Sequence, residues 1–302
     1  MAKPFVKWAG GKTQLLPIIR LRYPKTIKRY CEPFVGGGAV LFDVLTHFSP
    51  KEVLINDKNP ELINTYFHIK KNVKKLIENL EEIQESYYKS ADKKEYYLGK
   101  RERFNELIVS KENTIEKACL FIFLNKTCFN GLYRVNSKGL FNVPFNNSKQ
   151  PLICDAKNLL NASNLLQDTE IICGDYSETF SFIDNNTFVY IDPPYRPLTD
   201  SSSFTSYSKD GFNDSDQIKL KQFVDLLSEK GAYFLLSNSD PKEIDNNDDF
   251  FDDLYVIYNI ERIKASRMIN SNATKRGLIS ELLVSNKSYC CEEKDRYEKK
   301  EF

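Results

Sequence analysis

Four consecutive residues, Asp192, Pro193, Pro194 and Tyr195, combine side chains suited to chemistry, and they follow directly on the apolar run Thr187 to Ile191. The Asp192 carboxylate accepts hydrogen bonds. The two prolines lack N–H groups and fix φ, so the backbone there presents carbonyls in a stiff array. A corner made of acceptors suits an NH₂ group, and Tyr195 adds a flat ring that can stack on a heteroaromatic base. Together these residues read as a clamp for a nucleobase carrying an exocyclic amine. Asp and Pro are also common turn residues, so a plain strand followed by a turn is the competing reading.

The elements that must hold this corner are legible around it. TFVYI, rich in β-branched and aromatic residues and stopped by Asp-Pro-Pro, is expected to be a buried strand. Ligands of open α/β sheets sit just outside the carboxyl ends of such strands. A second βα unit is read from Arg29 to Pro33, then Phe34-Val35-Gly36-Gly37-Gly38, then the helix-like AVLFDVLTHF. Glycines there let a ligand approach the backbone at a helix N-terminus. Position 41 is Leu, so the full G-x-G-x-x-G pyrophosphate fingerprint is absent. The strand EVLIN ends at Asp57, about 20 residues past the glycines, where an acid accepts hydrogen bonds from ribose hydroxyls. An adenosyl ligand without phosphates fits this set, and S-adenosylmethionine is one. Asp57 also suits a helix cap for NPELINTYFHIKKNVKKLI.

Near the start, FVKWAGGK followed by Thr13 invites a phosphate-loop reading, but the position five before Gly11 is Val6, and the spacing fails. Trp8, a turn at Gly10 and Gly11, Lys12 and a helix to about Leu21 remain. Further strands are predicted at Glu170 to Cys173, leading to Gly174, Asp175 and Tyr176, and at Ala232 to Asn238, Leu254 to Ile260 and Leu278 to Ser285. A helix capped by Asp214 or Ser215 runs to about Glu229. The polar loop Thr199 to Asn213, with Phe204 and Tyr207, is expected to contact substrate or act as a lid. Ser239 to Asp253 carries seven acids and one lysine and reads as a solvated loop that repels DNA. Lys264, Arg267, Lys275 and Arg276 form a basic link suited to phosphate or to solvent.

Residues 64–158 change texture. They are helical and charged, too long for a crossover connection, and read as an inserted subdomain between catalytic segments 1–63 and 159–287, with a charged tail over 288–302. The net charge of +1 means that a nucleic-acid partner must be met by local basic residues. Asn125 to Lys149 offers Lys126, Arg134, Lys138 and Lys149 with no acid, interleaved with Phe129, Tyr133, Phe141 and Phe145. That is the footprint of a DNA-contacting loop, in which Arg134 suits guanine and Asn130 suits adenine. A β-hairpin with packing aromatics is the alternative. Seven cysteines without a C-x-x-C pair and only two histidines argue against a zinc site, so no metal is expected. An odd cysteine count fits reduced thiols, and the lack of a long apolar run or signal sequence points to the cytoplasm, with no membrane involved.

Taken in order, FVKWAGGK, EPFVGGG, INDKNPELI, FNVPF, CGDY, DPPY and SNS resemble the Dam-type (D12 class, alpha group) DNA adenine-N6 methyltransferases, in particular those of GATC-specific restriction-modification systems. The resemblance runs from about Pro4 to Asn286. It implies an α/β, Rossmann-like methyltransferase sheet with an inserted, mainly helical target-recognition domain. It also implies transfer from S-adenosylmethionine to adenine N6 in double-stranded DNA at GATC, and a cognate restriction endonuclease as a possible partner. The candidate donor-binding set is then Trp8, Lys12, Phe34, Gly36, Gly38, Asp57, Asp175, Tyr176 and Asp192. The candidate DNA contacts are Lys7, Asn130, Leu132, Arg134 and Pro144, and the candidate catalytic residues Asp192, Pro193, Pro194 and Tyr195. A flipped adenine would stack on Tyr195 and Phe204. Lys126 to Phe129 depart from the enterobacterial members. Rival readings are transfer to cytosine N4 or RNA, a dinucleotide-dependent oxidoreductase, and a DNA-binding protein without catalysis.

Overall fold

Strands and helices follow the switch between period-2 and period-3.6 apolar patterns, with four long helical stretches in succession over residues 60–165. The computed structural model describes residues 2–196, 212–266 and 278–287. Phe204, Tyr207, Arg267, Lys275, Arg276 and the tail 288–302 lie outside the described residues. The elements to the middle of the chain are α1 (Leu16–Arg20), β1 (Arg29–Glu32), α2 (Ala39–His47), β2 (Glu52–Asp57), α3 (Pro60–Lys89), α4 (Lys93–Val109), α5 (Ile115–Thr127) and α6 (Ala156–Leu165). They continue with β3 (Thr169–Cys173), β4 (Thr187–Ile191), α7 (Asp214–Glu229), β5 (Tyr233–Ser239), α8 (Phe250–Leu254), β6 (Asn259–Ser266) and β7 (Leu278–Ser285). The architecture is the mixed α/β, Rossmann-like one expected, and it divides into two compact units.

The first unit comprises Met1–Gly11 and Phe34–Glu178. In it β2 and β3 pair in parallel, Val53 opposite Thr169 through Asp57 opposite Cys173. Helix α3 starts where Asn59 accepts a hydrogen bond from Leu62 N, with Pro60 at its first position, where a missing N–H costs nothing. Helix α5 is capped by Thr114 and is buried from Lys117 to Asn125 almost without interruption, so it acts as the central helix of this unit. Each large apolar side chain buried there contributes about 1.5–3 kcal/mol.

The second unit comprises Lys12–Pro33 and Thr179–Phe302. Its strands run in the order β1-β4-β5-β7-β6. β4 pairs in parallel with β1 and β5, while β7 is antiparallel to β5 and β6. With a neighbour on each edge, β4 is buried at all five positions, which explains why TFVYI shows no polar alternation. Helix α7 begins one residue earlier than expected, because Asn213 and Asp216 form a reciprocal capping box.

Two expectations fail here. The late strand starts at Asn259, not Leu254, and Phe250–Leu254 is helix α8. The aromatic spacing is helical: Phe251 and Tyr255, four apart, stack at 6.4 Å and are buried. The acidic stretch Ser239 to Asp253 is also not a simple solvated loop. Asp240 is buried and accepts from Arg262 Nε at 3.1 Å and Ser280 Oγ at 2.7 Å, and Lys242 pairs with Asp249 and Asp252. Among the described residues no helix is long and apolar enough to cross a membrane.

Candidate active site

In the second unit, the carboxyl end of β4 delivers Asp192 to a buried polar cluster. Lys12, at the N-terminal edge of this unit, donates from Nζ to Asp192 Oδ1 at 2.8 Å and to Tyr195 Oη at 2.7 Å, and its Nζ lies 5.0 Å from the centre of the Tyr195 ring. Ser237 Oγ on β5 donates to the same Asp192 oxygen at 3.1 Å. Glu281 on β7 places Oε2 3.7 Å from Lys12 Nζ, and the Lys12 side chain is only 2% exposed. Tyr190, inside β4, shares a hydrogen bond with Ser237 at 3.0 Å. The Pro194 carbonyl accepts from Gln217 Nε2 at 3.4 Å, and Asn238 in turn donates to Gln217.

Burial dominates the electrostatics. By itself it would lower the Lys12 ammonium, but the charges of Asp192, Tyr195 and Glu281 together hold it well above the usual lysine range. Burial pushes the Asp192 carboxyl up, with Lys12 and Ser237 offsetting part of the rise. The Glu281 carboxyl and the Tyr195 phenol are pushed up by burial as well. The corner is thus an aspartate and stiff carbonyls, with the aspartate held by the Lys12 ammonium.

In the first unit, a different cluster surrounds the glycine turn. Gly36 has φ +48°, and a Cβ added there would lie 2.7 Å from Trp8 Cδ1; Gly38, at φ +75°, has no room for a side chain beneath the Tyr66 hydroxyl. Tyr66 Oη donates to the Gly36 carbonyl at 3.0 Å. Asp57 Oδ2 accepts from Gly36 N at 3.0 Å and Oδ1 from Asn59 N at 2.9 Å. Burial raises the Asp57 carboxyl, and those backbone N–H groups lower it in part. The capping of α3 falls to Asn59, and Asp57 instead ties the glycine turn to the end of β2. Phe34 and Tyr176 bring their rings to 5.2 Å. Asn56 clamps the Gly174 turn, its Oδ1 accepting from Gly174 N at 3.0 Å and its Nδ2 donating to the Gly174 carbonyl at 3.1 Å. Asp175 is exposed and accepts from the Ser177 backbone and hydroxyl.

The basic loop belongs to the first unit too. It returns on itself, with antiparallel bridges between Cys128 and Phe145 and between Val135 and Phe141. Lys7, Asn130, Arg134 and Pro144 are exposed and Leu132 is half-buried. Tyr133 and Phe141 are buried in the unit's core, whereas Phe129 is 48% exposed. Asn125 on α5 organises the group: its Oδ1 accepts from Lys7 N, and its Nδ2 donates to the Lys7 and Gly131 carbonyls, each at 2.8 Å. Among the described residues no His, Cys, Asp and Glu group could hold a metal ion.

Residues 8–269 match the family described as D12 class N6 adenine-specific DNA methyltransferase. The chain belongs to that family. It is 47% identical over 294 residues to a protein named Type II methyltransferase M.MjaIII of Methanocaldococcus jannaschii, covering 94% of this chain and 99% of that one. It is 38% identical over 286 residues to Type II methyltransferase M1.LlaDCHI of Lactococcus lactis subsp. cremoris, covering 94% and 95%. A DNA adenine methylase of Haemophilus influenzae shares 34% identity over 283 residues, 93% of each chain. Membership of an adenine-specific DNA methyltransferase family removes the oxidoreductase, cytosine, RNA and non-catalytic readings.

Sequence reasoning about this methyltransferase missed Ser237, Glu281, Asn56, Tyr66 and Asn125. Ser237 lay inside the quoted SNS motif without a role, and Glu281 was the lone acid in the apolar strand LISELLVS. Asn125 and Asn56 gave no signal, since an amide on a buried face looks like any other polar residue in one sequence.

Proposed function

We propose that the protein methylates adenine N6 at GATC in double-stranded DNA, with S-adenosylmethionine as donor and with the target adenine flipped out of the helix. The observation that carries this reading is the Lys12–Asp192–Tyr195 cluster at the end of β4. The amine of adenine is a poor nucleophile because its lone pair is conjugated into the ring. Asp192 and the Pro193 carbonyl accept its two hydrogens, which draws the nitrogen toward sp³ geometry and frees the lone pair. Lys12 fixes the carboxylate so that it needs no reorganisation, and positioning of this kind supplies most of the rate. Tyr195 offers its ring to the flipped base, whose amine is out of reach inside a duplex.

The donor supplies an electrophilic methyl group on a sulfonium. The first-unit cluster fits its adenosine part. Asp57 has lone pairs beyond the two used by backbone N–H groups and can accept from ribose hydroxyls. Phe34 and Tyr176 offer ring faces, the Trp8 indole suits a cation, and the bare Cα atoms of Gly36 and Gly38 let Trp8 and Tyr66 pack directly against the turn. The exposed set Lys7, Asn130, Arg134 and Pro144, with Leu132, reads the target. In this reading, residues 64–158 form the target-recognition domain and 1–63 with 159–287 the catalytic one. Relatives named Type II methyltransferases support a cognate restriction endonuclease as partner, and in this reading the enzyme meets its DNA in the cytoplasm.

The test is incubation with tritiated S-adenosylmethionine and matched duplexes that contain or lack GATC. Label is expected in the GATC duplex alone, in the N6-methyladenine fraction after digestion. Equal labelling of the two duplexes removes the specificity, and label in another base removes the mechanism.

A further inference from the structure

Trp8 is the one tryptophan of the chain, and its indole touches two structures with different assigned tasks. It covers the glycine turn, where any Cβ on Gly36 would meet Cδ1. It also stacks against Tyr133, with ring centroids 6.0 Å apart and planes at 27°. Tyr133 stands between Leu132 and Arg134, two of the five residues assigned to the target. It is only 7% exposed, and its hydroxyl donates to Glu61 Oε2 at 3.1 Å. Glu61 lies in the first turn of α3, four residues past Asp57, and faces the buried ammonium of Lys117 at 3.8 Å. Packed rings do not deform continuously, so a displacement of the loop at 132–134 is passed to the Trp8 face and to the start of α3.

We infer that Tyr133 is a positioning residue that couples target binding on the basic loop to donor binding at the glycine turn. The inference rests on the assignments made under Proposed function. A duplex that grips residues 132–134 holds the Tyr133–Trp8 stack in place and spares the donor the cost of fixing it, so the coupling is positive. By linkage the donor tightens DNA by the same factor.

Because Trp8 is the only indole, its emission reports directly on this contact. The affinity for S-adenosylhomocysteine is read from Trp8 emission with and without a GATC duplex, and duplex affinity separately from anisotropy of a labelled strand. In the unaltered protein the duplex should tighten the nucleoside about fivefold or more, the lower range of such couplings. It should also shift Trp8 emission in the absence of nucleoside. In Tyr133→Leu the factor should fall to near one while each ligand still binds, whereas Tyr133→Phe, which keeps the stack, should retain most of it. A factor unchanged in Tyr133→Leu, or a factor of one in the unaltered protein, overturns the coupling and leaves the proposed function standing. If the unaltered protein binds neither ligand, the proposed function falls with it. Should Tyr133→Leu not fold, the emission shift of the unaltered protein decides: no shift on adding duplex overturns the inference.

Discussion

Replacing Asp192 with Ala should do two separable things: abolish methyl transfer and destabilise the fold by an amount set by Lys12. The Lys12 side chain is 2% exposed and donates to Asp192 at 2.8 Å. Removing one partner of a buried ion pair costs about 3–5 kcal/mol, because the other charge stays buried without compensation. Here the Tyr195 hydroxyl at 2.7 Å and Glu281 at 3.7 Å remain as partial counterparts, so the lower end, about 3 kcal/mol, is expected. Urea unfolding should show this as a lower midpoint with an unchanged slope. Asp192→Asn keeps the shape and one carbonyl oxygen but loses the charge, and should cost less stability while losing transfer by about 10²-fold or more. The double variant Lys12→Met, Asp192→Leu removes this pair and should be less destabilised than Asp192→Ala, since a buried pair replaced by apolar groups is often neutral, while Glu281, left without its cation, keeps it below the unaltered protein. That protein should be folded and inactive. A coupling near zero in the cycle of Lys12→Met, Asp192→Leu and their double variant, or an Asp192→Ala variant as stable as the parent, refutes the role given to Lys12.

Three further outcomes follow from the same geometry. Burial raises the Asp192 carboxyl, and a protonated carboxyl no longer offers its full acceptor capacity; the acid limb of kcat against pH should therefore lie above about 4, the ordinary aspartate value. The sign for stability is opposite: a raised folded-state value means the fold holds this proton more tightly than the unfolded chain, so this group's contribution falls as pH rises through it. Asn125→Ala removes three hydrogen bonds at a buried position; a loss of about 3 kcal/mol in thermal or urea unfolding is expected, with weakened discrimination between GATC and near-cognate duplexes. Of the five described cysteines only Cys173 is exposed, while burial pushes the Cys119 and Cys128 thiols to about 12 and Cys154 to about 11. Iodoacetamide mapping by mass spectrometry should find Cys173 alkylated first among these five. S-adenosylhomocysteine should slow that reaction, because Cys173 lies opposite Asp57 in the β2–β3 pairing.

What was legible in the sequence was whatever a short window contains. The β4 corner declares itself through five β-type residues and two prolines. The glycine turn does so through three glycines before a helix, and Asp57 through its distance from them. The partners of those residues were hidden because they are remote: Lys12 and Asp192 are 180 positions apart and Ser237 a further 45. Lys12 could be read as a cofactor contact, but nothing local said that it is buried against a carboxylate. The aromatics of the basic loop looked equivalent as letters, yet Tyr133 and Phe141 face the core while Phe129 faces outward. The strand expected at Leu254 to Ile260 begins only at Asn259 for a related reason: a short apolar run suits helix and strand alike until spacing and packing decide.

The polar cluster around Asp192 is also a device for integrity. It draws on the beginning of the chain at Lys12, on β4 and β5, and on the last described strand at Glu281. No fragment cut between these points carries the whole set, so a nascent or proteolysed chain lacks the complete cluster. The same dispersion makes the enzyme divisible on purpose: two inactive pieces, split in a surface loop between Ser237 and Glu281, would regain the cluster only when brought together. Their meeting would be written into nearby DNA as a lasting mark.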